Sequence, residues 1–433
     1  MNLPIFYDHN DDKIVANNNP VSVFSYDFNK GCGHQYGTNR SERGTTDQGY
    51  CFMKKVLILK RYDREFRVPL YDQLGARLEA GDIRLEIIYG QPDRWEEQTI
   101  KDLIRPHKWG RFVKNRYLGK GKKAACWQPV LKFTRDADLV IVQQGNRELV
   151  NYVLMLRGIF KRKPAFAFWG HGMNFQARSA RSLKERWKSL YSNFADHWFA
   201  YNELSRQVMT ERGFDPDRVT ALQNTIETKG ESAAYDSIPE KELDELRREL
   251  GMGKNSTVGV YCGSLYPEKR IDFLVSALLG VRSGLTDFHF VIVGDGILRQ
   301  QVLEMISGQE SWIHYVGPRF GRDRLPYFKL ASFQLIPGLV GLNIIDSFIT
   351  LTPLITTENR LHSPEISYLV NYENGIMTGN TLEEYTGAII KFARDPLLQE
   401  TMKQGCKKAR ELYTIEHMSD NFFRGIMKAL EAN

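Results

Sequence analysis

VGVYCGSLYPEKR (258–270), FVIVGDG (290–296), YVGPRFGRDRLPYFKLAS (315–332) and PGLVGLNIIDSFITLTPLITT (337–357) follow one another, and HSPEISYLVNYENG (362–375) closes the series. Each segment alone is a weak signal. In this order and spacing, between Val258 and Met377, they describe one nucleotide-binding α/β half-molecule. A strand ends at Gly263 and hands on to the basic pair Lys269-Arg270. A second strand ends at Gly294. A loop then opens a helix at Gly341 whose second turn holds Asp346.

The same alternation extends toward the N-terminus. VLIL (56–59) reads as a buried strand and RVPLYDQLGARLEA as a helix, with Leu70, Leu74 and Leu78 at helical spacing. RLEIIYG, ADLVIVQQ (137–144), AFAFWG (165–170), HWFAYN (197–202) and RVTALQN (218–224) continue the series of strands. Short apolar runs alternating with amphipathic helices imply parallel sheets built from βαβ units. The stretch KGESAAYDSIPEKELDELRRELGMG begins with turn-forming residues and ends as a helix stopped by Gly251, which makes it a link between two domains. His417 to Leu430 reads as a final amphipathic helix. The expected division is a tail over 1–52, a first domain over 53–225, a linker over 226–250, a second domain over 251–415 and a C-terminal helix over 416–433. The tail lacks apolar periodicity and the marks of a signal peptide, so it is expected to be disordered or a non-native extension upstream of a start at Met53.

The 433 residues are 42% hydrophobic and 26% charged, enough for two cores. No apolar run nears the ~18 residues a membrane-spanning helix needs. The five cysteines, Cys32, Cys51, Cys126, Cys262 and Cys406, are scattered and form no CxxC, which argues against a disulfide framework or a thiolate metal site. A net charge of +7 suits anionic substrates or an anionic surface.

Lys269 and Arg270 follow a strand end closely, where fixed cations meet a diphosphate. Read structurally, they are only a solvated pair opening a helix. Gly341 lets backbone approach a ligand, and amides at a helix start attract phosphate. A carboxylate at Asp346 can accept two ribose hydroxyls; its plainer reading is a solvent-facing helix acid. His171 lies between Gly170 and Gly172 at a strand's carboxyl end, which opens its ring to a cleft.

Together these segments resemble the sugar-nucleotide domain of GT-B glycosyltransferases of family 4, and the resemblance covers nearly all of the chain from Met53. It implies two Rossmann-like domains facing across a cleft, with the last helix crossing back onto the first domain. It implies that Lys269 binds the donor diphosphate with Gly341 and Leu342, and that Asp346 holds the ribose. The family's diphosphate Arg is replaced by Ser264, and Arg270 is expected to supply the missing charge. The first Glu of the family's Glu-x7-Glu motif is Gly338, a departure at the donor-sugar contact. His171 falls where relatives touch the donor sugar and is the catalytic candidate. Glu365 lies where relatives carry a Pro-Glu and is expected to support the site. Gly263, Gly294 and Arg67 complete the cleft candidates, the last from the loop Lys60-Arg61-Tyr62-Asp63-Arg64-Glu65-Phe66-Arg67.

Asp136-Ala137-Asp138 imitates a metal-binding DxD but opens a strand, so no metal is expected. Gly294-Asp295-Gly296 lacks the third glycine of a dinucleotide fingerprint. Lys101 to Lys132 carries ten Lys/Arg and one Asp, with Trp109, Phe112, Tyr117 and Trp127 interleaved. That composition suits an anionic membrane surface, and no nucleic-acid module accompanies it. Arg178 to Tyr201 reads as an amphipathic helix whose face includes Trp198.

The resulting expectation is a retaining, metal-independent transferase without a cofactor. It would move a sugar from a UDP- or GDP-sugar to a glycan or lipid-linked acceptor for cell-surface polysaccharide. It would work in the cytoplasm or peripherally on the membrane's cytoplasmic face. A nucleotide-sugar epimerase and a catalytically silent nucleotide-binding scaffold are the alternatives; donor incubated alone tests the first, and Gly338 motivates the second.

Overall fold

A computed structural model describes residues 54–97, 103–119, 121, 124–160, 164–172 and 193–432. The tail over 1–52 and most of the helix expected from Arg178 lie outside the described residues. Fifteen strands are present among the described residues. They are β1 (Lys54–Lys60), β2 (Ile83–Tyr89), β3 (Gly110–Phe112), β4 (Arg116–Leu118), β5 (Ala125–Trp127), β6 (Leu139–Gln143), β7 (Ala165–Gly170), β8 (His197–Ala200) and β9 (Val219–Ala221) in the first half. The second half holds β10 (Thr257–Cys262), β11 (Phe288–Val293), β12 (Ile313–Gly317), β13 (Phe333–Leu335), β14 (Leu354–Thr357) and β15 (Gly375–Thr378).

β1, β2, β3 and β6 to β9 pair in parallel in the order β3-β2-β1-β6-β7-β8-β9. The second sheet runs β12-β11-β10-β13-β14-β15, also parallel. Both orders reverse beside their first strand, which creates a crevice outside the carboxyl ends of β1 and β6 and another outside those of β10 and β13. β4 and β5 form a separate antiparallel hairpin.

Both faces of each sheet are covered, which is why the strands read as continuous apolar runs. On β1, Val56 and Ile58 join the cluster under helices Val68–Ala80 and Ile415–Glu431, while Leu57 and Leu59 face helix Leu149–Phe160. The final helix thus lies on the first sheet. Its Phe422 meets Trp169 and Phe199 at centroid distances of 5.0 and 4.7 Å, and a Cβ at Gly425 would stand 2.6 Å from Phe199.

The linker differs from the sequence expectation at its start. Lys229–Asp236 is a helix, because Tyr235 is buried and Glu231 pairs with Arg324, contacts that local turn propensity does not register. Trp198 is likewise a fully buried strand residue of β8, packed at a tilt against Phe168 at 4.9 Å, and not part of a helix face. In the basic stretch, Trp109 is buried with its Nε1 donating to Asp72, and the Tyr117 hydroxyl donates to the Gln91 carbonyl. Trp127 is half-buried, so Phe112 is the one exposed aromatic of the four named there. Asp138 accepts from the Lys55 N–H and Asp136 pairs with Lys55, so both acids anchor the start of β1.

Candidate functional site

The carboxyl ends of the two sheets meet through polar side chains. Asn202, after β8, donates to the Pro364 carbonyl at 2.6 Å and to Ser367 at 3.1 Å. Asn224, after β9, donates to Glu365 at 2.6 Å, and its carbonyl accepts from Tyr368 at 3.1 Å. Glu365 is buried, which raises its pKa, while the Asn224 amide pulls it back. Arg67 donates to Asn224 at 2.7 Å and to the Thr225 carbonyl at 3.3 Å. Arg67 and Glu365 therefore brace the junction of the two domains, and their polar groups are already engaged there.

In the second domain the glycines named from sequence have close neighbours. A Cβ at Gly294 would stand 1.9 Å from the Gly263 carbonyl oxygen, so the turns after β10 and β11 pack backbone to backbone. Both glycines have φ near +155°, 154° for Gly263 and 157° for Gly294. Ser264 is exposed, and its carbonyl accepts from Tyr261. At Gly338 a Cβ would lie 2.3 Å from the Glu268 carbonyl oxygen and 2.4 Å from the Lys269 carbonyl carbon. The loop after β13 is pressed onto the turn after β10, and no side chain fits where the family carries its Glu.

That loop is held on every side. Leu339 N–H donates to the Glu268 carbonyl at 2.8 Å, and Val340 N–H donates to His362 Nδ1 at 3.1 Å. His362 Nε2 then donates to the Thr357 carbonyl at 2.8 Å, which fixes the neutral tautomer; burial lowers its pKa. Asn359 reaches the carbonyls of Pro337 and Gly338, both at 3.3 Å. The N–H groups of Gly341 and Leu342 donate to no group among the described residues.

Lys269 lies beneath this loop, 3% exposed. Its Nζ donates to the Leu339 carbonyl at 2.6 Å and to Asn343 Oδ1 at 2.8 Å. Two of its three N–H groups are taken, and the third donates to no group among the described residues. Burial lowers its pKa to about 8, against the pull of Asp346. The helix here is Asn343–Ile349, two residues later than expected and seven residues long, so Asp346 stands in its first turn. The short helix makes the two open amides and Lys269 the main anion-attracting groups.

Asp346 is buried and its Oδ1 forms an ion pair with Arg324 Nη1 at 2.9 Å. Arg324 also pairs with Glu231 of the linker helix. Burial raises the pKa of Asp346, and the Arg324 charge opposes that. The carboxylate is thus fixed by the fold, and its Oδ2 accepts no hydrogen bond among the described residues.

Arg270 departs from its expected role. Its φ of 55° turns the side chain away from Lys269. The guanidinium donates to the Thr357 hydroxyl at 3.2 Å and the Pro337 carbonyl at 3.4 Å, bonds Asn380, and covers Phe273 at 4.1 Å. It secures the outside of the loop and does not double the charge of Lys269.

On the facing wall His171 is half-buried and meets Tyr201 edge-on at 4.1 Å. Gly172, at φ 75°, donates to Gln144 at 3.0 Å. Sequence reading missed Asn343, Arg324, Glu231, His362, Asn224 and Lys60. Asn343, His362 and Arg324 lay inside the segments that define the fold; the others carry no local signal.

Two parallel Rossmann-like sheets, a junction at their carboxyl ends and a returning C-terminal helix define the GT-B fold. Residues 256–395, within the second domain, match the family model described as glycosyl transferases group 1. HepE of Anabaena, crystallised with UDP, is similar in fold at a TM-score of 0.63 and 16% identity, covering 87% of this chain and 100% of that one. Sucrose-phosphate synthase of Thermosynechococcus elongatus gives a TM-score of 0.61 at 13% identity, covering 88% and 100%. WaaG, a glycosyltransferase involved in lipopolysaccharide biosynthesis, gives 0.58 at 11%, covering 85% and 98%. No curated protein matches the sequence.

Proposed function

We propose that the protein transfers a sugar from a nucleoside-diphosphate sugar to a hydroxyl of a glycan or lipid-linked acceptor, with retention of configuration and without a metal. The observation that carries this reading is the buried Lys269 ammonium beside the open amides of Gly341 and Leu342. As the glycosidic bond lengthens, the sugar becomes oxocarbenium-like and negative charge gathers on the departing diphosphate. Donors already fixed by the fold stabilise that charge without reorganising. Asp346 presents its unengaged oxygen to the ribose, and His171 orients the sugar from the other wall. Backbone near Gly338 replaces the family's missing Glu as the sugar contact.

UDP is the first nucleotide to test, since HepE was crystallised with UDP and with UDP-glucose. Thermal-shift titration with UDP, GDP and their sugars should single out one base. A ligand at ~100 times its dissociation constant adds ~2.7 kcal/mol. Turnover should then appear as nucleoside diphosphate released when membrane extract is added as acceptor. Release from donor alone, with a changed sugar, would point to an epimerase. Tight binding with no turnover on any donor would favour a silent scaffold, the reading that Gly338 keeps open.

The acceptor reading also supports a place in cell-surface polysaccharide synthesis, at the cytoplasmic face of the membrane. Phe112 and Leu118, 57% and 60% exposed, stand near exposed Lys114 and Arg116 in sequence. Such a surface should bind anionic vesicles and release them at high salt. Indifference to lipid charge in co-sedimentation would remove the membrane role.

A further inference from the structure

The first domain has a cation at its own switch point. β1 ends on Lys60, between β2 and β6, where the order of the first sheet reverses. Crevices at such points take ligands. Lys60 is 4% exposed, and its Nζ stands 3.6 Å from the centre of the Trp169 ring. It donates no hydrogen bond and makes no ion pair among the described residues. Asp63 attracts it electrostatically but is bonded to the Tyr71 hydroxyl and the Arg64 N–H. Arg67 covers the same indole at 5.5 Å, and its guanidinium is engaged by Asn224 and Thr225.

An ammonium removed from water needs an acceptor, and an indole face offsets only part of that cost. The strain shows in the lysine itself, whose pKa burial lowers to about 8. The opposite wall already supplies Lys269 and two amides for the donor diphosphate. The cation on this wall therefore answers to the other substrate. We propose that Lys60 is the anion-recognition residue of the acceptor half of the site, and that the acceptor carries a carboxylate or phosphate there. The assignment rests on the glycosyl-transfer reading, because it presumes a second substrate.

The test uses the full chain as wild type, Lys60→Met and Lys60→Arg. Calorimetric titrations would measure UDP and GDP first. Glucuronate, glucose 6-phosphate and uncharged glucose would follow at saturating nucleotide. Wild type should bind an anionic sugar at least tenfold more tightly than glucose. Lys60→Met should lose that preference, keep nucleotide affinity within twofold, and melt at the same temperature as wild type or higher, since an apolar chain replaces a buried charge. Lys60→Arg should keep part of the preference. A wild type with no preference for either anionic sugar overturns the assignment, as does an unchanged preference in Lys60→Met. Weaker nucleotide binding by Lys60→Met without any sugar preference gives the lysine to the donor phosphate and also overturns it. A wild type that binds neither nucleotide strikes the glycosyl-transfer reading itself, and the acceptor assignment falls with it.

Discussion

At the switch point of the second sheet, Lys269 is bonded to Leu339 and Asn343 and Asp346 is paired with Arg324, whereas at that of the first sheet the Lys60 ammonium rests on Trp169 and makes no hydrogen bond or ion pair among the described residues. The topology is the same on both walls and the treatment of charge is opposite. The second wall is rigid before ligand binds, with a loop tied down by His362, Asn359 and Arg270. Such a wall suits a constant ligand, the nucleotide. The first wall keeps a cation in reserve, which suits a partner that differs from one transferase to another.

The largest expected effect breaks the rigid wall. Arg324→Met leaves the buried Asp346 and the half-buried Glu231 without their cation, and removing one partner of a buried pair costs ~3–5 kcal/mol. Denaturant unfolding should show that loss. Adding Asp346→Asn should restore part of it, and a double variant as unstable as the sum of both singles would dissolve the pairing argument.

Lys269→Ala should weaken nucleoside diphosphate binding roughly ten- to a hundredfold, as expected for a charge-assisted contact of ~1.5–3 kcal/mol. In wild type, affinity should fall as pH rises through about 8, because the ammonium is then lost. The folded pKa lies below the unfolded value of 10.5. The unfolded chain thus holds more protons between those values, and this group's contribution to stability rises with pH across that window. Binding by Lys269→Ala should lack the step near pH 8; an identical profile in both proteins would take the phosphate away from Lys269.

On the first wall, His171→Ala should lower turnover at least tenfold, about 1.4 kcal/mol of barrier, with nucleotide affinity nearly unchanged. A proportional loss of affinity would instead place the ring against the nucleotide. The smallest effect belongs to Arg270→Ala. Its guanidinium points outward, so diphosphate affinity should change less than about twofold while the loop loosens. A loss matching that of Lys269→Ala would restore the basic pair as a joint phosphate site.

Much of the fold was legible because strand and helix periodicity is local. The runs ending at Leu59, Gly170, Gly263 and Gly294 marked carboxyl ends of parallel strands, and ligand sites in such sheets lie there. Lys269 and His171 were placed by those strand ends, and Gly341 and Asp346 by a helix start and the family resemblance. Where each side chain points was not legible. Arg270 sits one residue from Lys269, yet a left-handed φ sends it to the opposite side of the loop. Gly338 looked like a lost carboxylate; it is a point of backbone contact with Glu268 and Lys269, about seventy positions away. Asp346 meets Arg324 and, through it, Glu231 of a linker helix that turn propensity concealed. Lys60 was one of many basic residues until Trp169 came to lie beneath it. By itself, then, the sequence determined the alternation of elements and the ends of the strands. The tertiary structure alone decided which charges are paired, since pairing depends on burial and on contacts between distant segments that no local pattern encodes.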